Sequence, residues 1–137
     1  MRIHNLYTDE KGESHFRDIE IALDQSRPPF SVFSKTMPAT GIIFRRTDGA
    51  YDLDWHPAPR RQYIVNLEGA VKITASDGEA RIIGAGEILL VEDTTGKGHK
   101  SQSVDGKPRH SLLCGAGLFP VARWNETIPK LGIPKQN

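Results

Sequence analysis

The chain has 137 residues, enough for one domain with one core and too few for two. Apolar residues make up 37% and charged residues 26%, an ordinary soluble balance, and a formal net charge of +1 offers no electrostatic footprint for nucleic acid or an anionic membrane surface. No apolar run approaches the roughly 18–20 residues of a bilayer span. The first ten residues lack the apolar core of a secretory signal, and the single cysteine, Cys114, cannot close an internal disulfide, so a reducing cytoplasm is the expected location.

In chain order, Arg17–Asp24 alternates polar and apolar residues with period two, the pattern of a half-buried strand. Gln25–Ser31 contains Pro28 and Pro29 and is expected to be a loop. Gly41–Arg46 is a second strand and Tyr51–Trp55 a third. Gln62–Leu67 is the fourth, ended by Glu68 and Gly69. Ala70–Ala75 and Ala80–Ile83 flank the turn S-D-G-E, whose Asp-Gly centre is a strong hairpin signal. Glu87–Glu92, His99–Val104 and Arg109–Leu118 complete the series. The Pro-punctuated residues from Phe119 onward read as an extended tail, in which Trp124 is expected to dock on the barrel or on a second subunit.

No segment carries a helical apolar stripe. Nine short strands with regular turn signals predict an all-β sandwich or closed barrel, an arrangement that also protects strand edges and leaves room inside for one small ligand. A single domain over residues 1–137 is expected, with an N-terminal strand at 17–24, a barrel core over about 40–118 and a tail at 119–137.

Two stretches carry the chemistry: W-H-P-A-P-R-R-Q-Y from Trp55, and D-T-T-G-K-G-H-K from Asp93. Their spacing resembles the two motifs of the cupin superfamily, G-x5-H-x-H-x3-4-E-x6-G and G-x5-P-x-G-x2-H-x3-N. His56 takes the first histidine position and Gly69 closes the first motif, while Gly96 and His99 match the second. Ala58 replaces the second histidine, Gln62 the glutamate, Thr94 the proline and Ser103 the asparagine. The opening glycines are displaced, Gly49 by one residue and Gly86 by two. The match covers about residues 40–115, and the two stretches are similar to those of small single-domain bacterial cupins. The resemblance implies a double-stranded β-helix (a jelly-roll barrel), usually a homodimer, often with a divalent metal such as Zn, Ni, Fe or Mn in the barrel.

Residues two apart in a strand share a face. If His56 and His99 face each other across the barrel, an inward set of His56, Arg60, Gln62, Asn66, His99 and Ser101 results, too polar to be a mere core because each unpartnered buried polar group costs about 1–3 kcal/mol. His56, Gln62 and His99 are the candidate metal ligands, with Asp93 and His110 as helpers. Two imidazoles and a neutral amide form a poorer donor set than three imidazoles and a carboxylate. Without metal, His56 and His99 are candidate general acid and base, with Arg60 in the catalytic set, and Gln62, Asn66, Ser101 and Arg61 binding substrate. Arg60 or Arg61 is the expected fork for a carboxylate or phosphate.

The alternative for the basic pairs Arg45–Arg46 and Arg60–Arg61 is a solvated strand face. The loop D-T-T-G-K-G lacks the spacing of a phosphate loop, and its glycines are expected to deliver His99 into the barrel by a tight turn. Glu92 and Asp93 are expected to point opposite ways, Cys114 to be a buried structural thiol, Trp55 to pack outward or at an interface, and His4, His15 and His110 to be structural or on the surface. These residues fit a small-molecule enzyme of lyase or isomerase type. A non-catalytic ligand-binding barrel, a metal-dependent dioxygenase, and a barrel with a vestigial pocket serving dimer contacts are the alternatives.

Overall fold

The computed structural model describes residues 1–117; the expected tail, with Trp124, lies outside the described residues. Every regular element described is a β-strand, and no helix there is long and apolar enough to cross a membrane. The strands are β1 (Arg2–Thr8), β2 (Ser14–Glu20), β3 (Gln25–Arg27), β4 (Ser31–Phe33), β5 (Ile42–Thr47), β6 (Asp52–His56), β7 (Gln62–Glu68), β8 (Val71–Ala75), β9 (Ala80–Ile83), β10 (Ile88–Val91), β11 (His99–Ser103) and β12 (Arg109–Gly115). All nine expected strands therefore appear, most within one or two residues of their expected ends, except that the first begins and ends earlier, at Ser14 and Glu20, and the last ends at Gly115.

Two expectations need correction. The amino-terminal segment, to which no strand is assigned above, forms β1, because Ile3 and Leu6 bury on opposite faces of a strand held between β2 and β10. The proline loop is instead the turn of a small hairpin, β3–β4, in which Pro28 and Pro29 fall between the strands and cost no ladder hydrogen bond.

A six-stranded sheet in the order β2-β1-β10-β7-β12-β5 lies over a four-stranded sheet in the order β6-β11-β8-β9. From β5 onward the chain passes from one sheet to the other at nearly every connection, staying in one sheet only for the β8–β9 hairpin. This alternation is the winding of a jelly roll, the architecture expected from the motifs. Leu6, Phe16, Leu89 and Val91 of the larger sheet pack on Val71, Ile73, Ala75 and Ile83 of the smaller one, so the main core lies between the sheets. Period-two alternation puts Ile3, Ile19, Ile21 and Leu90 on the outer face of the larger sheet, where Met37 and Tyr63 cover them. Cys114 lies on that outer face and is half-buried rather than fully enclosed.

Candidate functional site

The core does not fill the space between the sheets. Beyond Val71, Ile73 and Val91 the sheets enclose a cavity of about 330 Å³, a volume suited to a small metabolite. His56, Arg60, Gln62, His99 and Ser101 all line it.

The two histidines meet in a way the sequence does not suggest. They do not face each other across the barrel. β6 and β11 are neighbours in the smaller sheet, and His99 is the direct cross-strand partner of His56. The ring centroids are 4.4 Å apart and the planes are inclined by 58°. Gln62, on β7, approaches from the opposite sheet. The expected convergence occurs, but by pairing within one sheet plus closure by the other.

Gly98 makes that pairing close. Its φ of +73° lies in the left-handed region, and a Cβ there would fall 2.1 Å from the His56 carbonyl oxygen. Only glycine lets the 93–98 loop come so near the end of β6. The Ser14 hydroxyl donates to the Gly98 carbonyl at 2.7 Å and ties the loop to β2.

Each histidine has its Nδ1 engaged. His56 Nδ1 lies 2.7 Å from the Asp54 carbonyl oxygen, which can only accept, so this nitrogen carries the proton. His99 Nδ1 lies 2.5 Å from Asp93 Oδ2. With Asp93 ionised, that nitrogen is again the donor, so the tautomer these bonds select has the lone pair on Nε2 in both rings. Neither Nε2 has a hydrogen-bond partner among the described residues. Burial pushes the Asp93 carboxyl above its ordinary range, while the bond from His99 pulls it back. Asp93 Oδ1 is buried without a partner. As expected, Glu92 points away from Asp93 and pairs with Arg61.

Several expected site residues lie elsewhere. Asn66 faces inward but is fully buried away from the cavity. Its Nδ2 donates to the Ile83 carbonyl at 2.8 Å, fastening β7 to β9. Arg61 points to the other side of β7, where it ion-pairs with Glu92 and donates to the Ala116 carbonyl. It borders a second, separate cavity with Thr40 and Thr94, so it does not reach the histidines. Asp93 cannot serve as an extra metal ligand through Oδ2, which holds His99. His110 is exposed on the outer face, 3.4 Å from Glu68, and cannot help either. His4 and His15 hold surface carboxylates, and Trp55 points outward beside Lys100, as expected.

The solvated-face reading holds for Arg46 but not for Arg45. Arg45 turns inward, lines the cavity and donates from Nε to Ser111 Oγ at 3.2 Å. Arg109 and Tyr51 also line the cavity, and the Tyr51 hydroxyl lies 2.6 Å from Ser101 Oγ. The period-two rule held the clue to Arg109: it shares a strand face with Ser111 and the core residue Leu113.

For a divalent metal, the donor set in the cavity is poorer than three imidazoles and a carboxylate. Among the described residues no three His, Cys, Asp or Glu side chains converge. Ala58, which is buried at the cavity wall, removes the third imidazole. Two imidazoles and an amide supply fewer strong ligands and less negative charge than the sites of divalent ions usually have.

No protein-family model matches this chain, and no curated protein matches it. Among solved structures it is similar to the SPY1581 protein of unknown function from Streptococcus pyogenes, at 18% identity over 65% of this chain and 72% of that one, with a TM-score of 0.46. It is also similar to the NMB1881 protein from Neisseria meningitidis, at 18% identity over 61% and 85% of the two chains and a TM-score of 0.43. A third is the cupin domain of Schizosaccharomyces pombe Cnp3, at 12% identity over 85% and 83% and a TM-score of 0.46. These likenesses are loose, and the fold assignment rests on the strand order of the chain itself.

Proposed function

We propose that this chain is a small-molecule enzyme of lyase or isomerase type that moves protons without a metal, using His56 and His99 as general acid and base. The Asp93–His99–His56 arrangement carries the reading. A buried carboxylate that fixes the Nδ1–H tautomer of an imidazole leaves Nε2 basic and stabilises the imidazolium that forms when it takes a proton. His99 Nε2 removes a proton from the substrate, the His99 imidazolium passes it to Nε2 of His56 beside it, and His56 returns it at a neighbouring atom, so that both rings end as they began. Gln62 and Ser101 orient the substrate by hydrogen bonding, and Arg60 stands at the cavity rim.

The test is nitrogen-15 NMR of the imidazoles, together with elemental analysis of untagged protein. Both rings are expected as Nδ1–H tautomers near pH 8, with His99 released from that state in Asp93→Asn. Negligible metal is expected in the wild type. Rings protonated on Nε2, or stoichiometric metal lost in both His56→Ala and His99→Ala, would overturn the proposal. A cavity that binds ligands while no proton is exchanged would mark the protein as a binding module instead.

A further inference from the structure

The cavity wall opposite the histidines has an unbalanced charge. Arg109 is only 4% exposed, yet its guanidinium has no hydrogen-bond or ion-pair partner among the described residues. Arg45, paired in register with Ser111 on the neighbouring strand, has only the bond from Nε to that hydroxyl. Both residues lie on the inward face of adjoining strands, one diagonal step apart. No Asp or Glu lines the cavity.

Elsewhere two enclosed arginines have carboxylates, and Arg17 instead donates to Asn5 Oδ1 and lies over the Tyr7 ring. Arg61 has Glu92, and Arg81 has Glu79 and Asp18. At the cavity two guanidinia converge with no carboxylate among the described lining residues. A buried charge without a counter-charge is expensive, and a chain keeps two side by side when something else supplies the anion.

We propose that Arg109 and Arg45 form a subsite for the carboxylate or phosphate group of a small anionic ligand that enters this cavity. Tyr51 and Ser111 frame the subsite. Guanidinium forks suit either anion, because both present two oxygens to parallel N–H donors. Burial, with Arg45 adding to it, lowers Arg109 to about 10, which still leaves it charged at neutral pH. The proposal rests on the reading that this cavity holds the protein's ligand, and it narrows the substrate to small organic acids or phosphate esters whose reacting carbon extends from the anion toward His56 and His99.

The experiment is calorimetric and thermal-shift titration with orthophosphate and with malonate, each against chloride at matched ionic strength. At least one anion is expected to bind and raise the melting temperature of the wild type, and the one that binds more tightly identifies phosphate or carboxylate as the preferred group. Binding should weaken tenfold or more in Arg109→Gln and in Arg45→Gln. It should be unchanged in Arg46→Gln, an exposed neighbour on the outer face. Arg109→Lys keeps the charge and should retain part of the affinity, which guards against a folding defect in the neutral variant. Absence of binding by either anion, or binding that survives both neutral substitutions, would overturn the subsite. His99→Gln separates the two proposals: anion binding that persists there, with the tautomer pattern above absent from the wild type, removes the acid–base chemistry and supports the subsite.

Discussion

The space between the two sheets has two ends, joined by strands β8 and β10. At one end Leu6, Phe16, Ile83 and Leu89 interlock, with Asn66 held by the Ile83 carbonyl. At the other, Arg45, Gln62, His99 and Arg109 surround a cavity. β8 and β10 contribute to both, since Ile73 and Val91 belong to the core and also form the cavity floor. The packed end gains free energy by removing apolar surface from water, about 1.5–3 kcal/mol per large side chain. The cavity end spends part of that gain holding unsatisfied polar groups in place. Stability and site thus occupy opposite ends of one layer.

Substitutions at the two ends should therefore differ in sign as well as size. The largest effect is expected from Leu6→Ala at the packed end, a loss of about 2–5 kcal/mol in a denaturation midpoint experiment with an unchanged slope. Gly98→Ala should cost about 2–4 kcal/mol, because its Cβ would collide with the His56 backbone in a conformation unfavourable to any side chain. It should also separate the two rings, visible as a changed histidine NMR pattern. At the cavity end Arg109→Leu should do the opposite and raise the stability of the ligand-free protein by roughly 1 kcal/mol, since it removes a buried charge with no counter-charge. A loss of stability comparable to that of Leu6→Ala would mean that Arg109 is structural and would erase the distinction.

The smallest effect lies outside the layer. His15 lies 2.6 Å from Asp9 and 2.8 Å from Asp77 through its two ring nitrogens, an arrangement that favours its protonated form. Its pKa is raised above the ordinary 6.5, chiefly by the Asp9 hydrogen bond against the opposing effect of burial, and that of Asp9 is lowered by the same bond. A raised imidazole contributes stability that is complete below 6.5 and is lost as pH climbs through the raised value. A lowered carboxyl contributes above its ordinary range and loses that contribution on acidification. His15→Asn should therefore cost about 0.5 kcal/mol near pH 6 and almost nothing at pH 9. Equal cost at both pH values would show that His15 acts by packing rather than charge.

Much of the fold was legible because short strands with a half-buried face leave a period-two record, and Asp-Gly and Gly-rich turns mark their ends. β1 escaped because R-I-H-N-L-Y-T carries its apolar residues on both faces, so no clean alternation appears. The site was legible in part. His56, Gln62 and His99 fell into one cavity because their spacing relative to Gly69 and Gly96 is tied to strand and turn lengths. Asn66 and Arg61 were misread because a face assignment tells which way a side chain points but not how far along the strand the cavity extends, nor which carboxylate waits on the other side. Arg45 and Arg109 lie 64 residues apart, and nothing local distinguishes an inward arginine from a solvated one.

The sequence alone determined that this chain would be all-β, that its strands would need closure to protect their edges, and that a glycine-rich turn would deliver His99 to the inside. Those properties depend on backbone preference and short-range periodicity, which act within a few residues. Only the tertiary structure decided that the histidines are neighbours within one sheet, that Asp93 fixes the tautomer of one of them, and that two arginines without carboxylates face them. Register between distant strands is set by the sum of all the packing in the layer, and no short stretch of chain contains that sum.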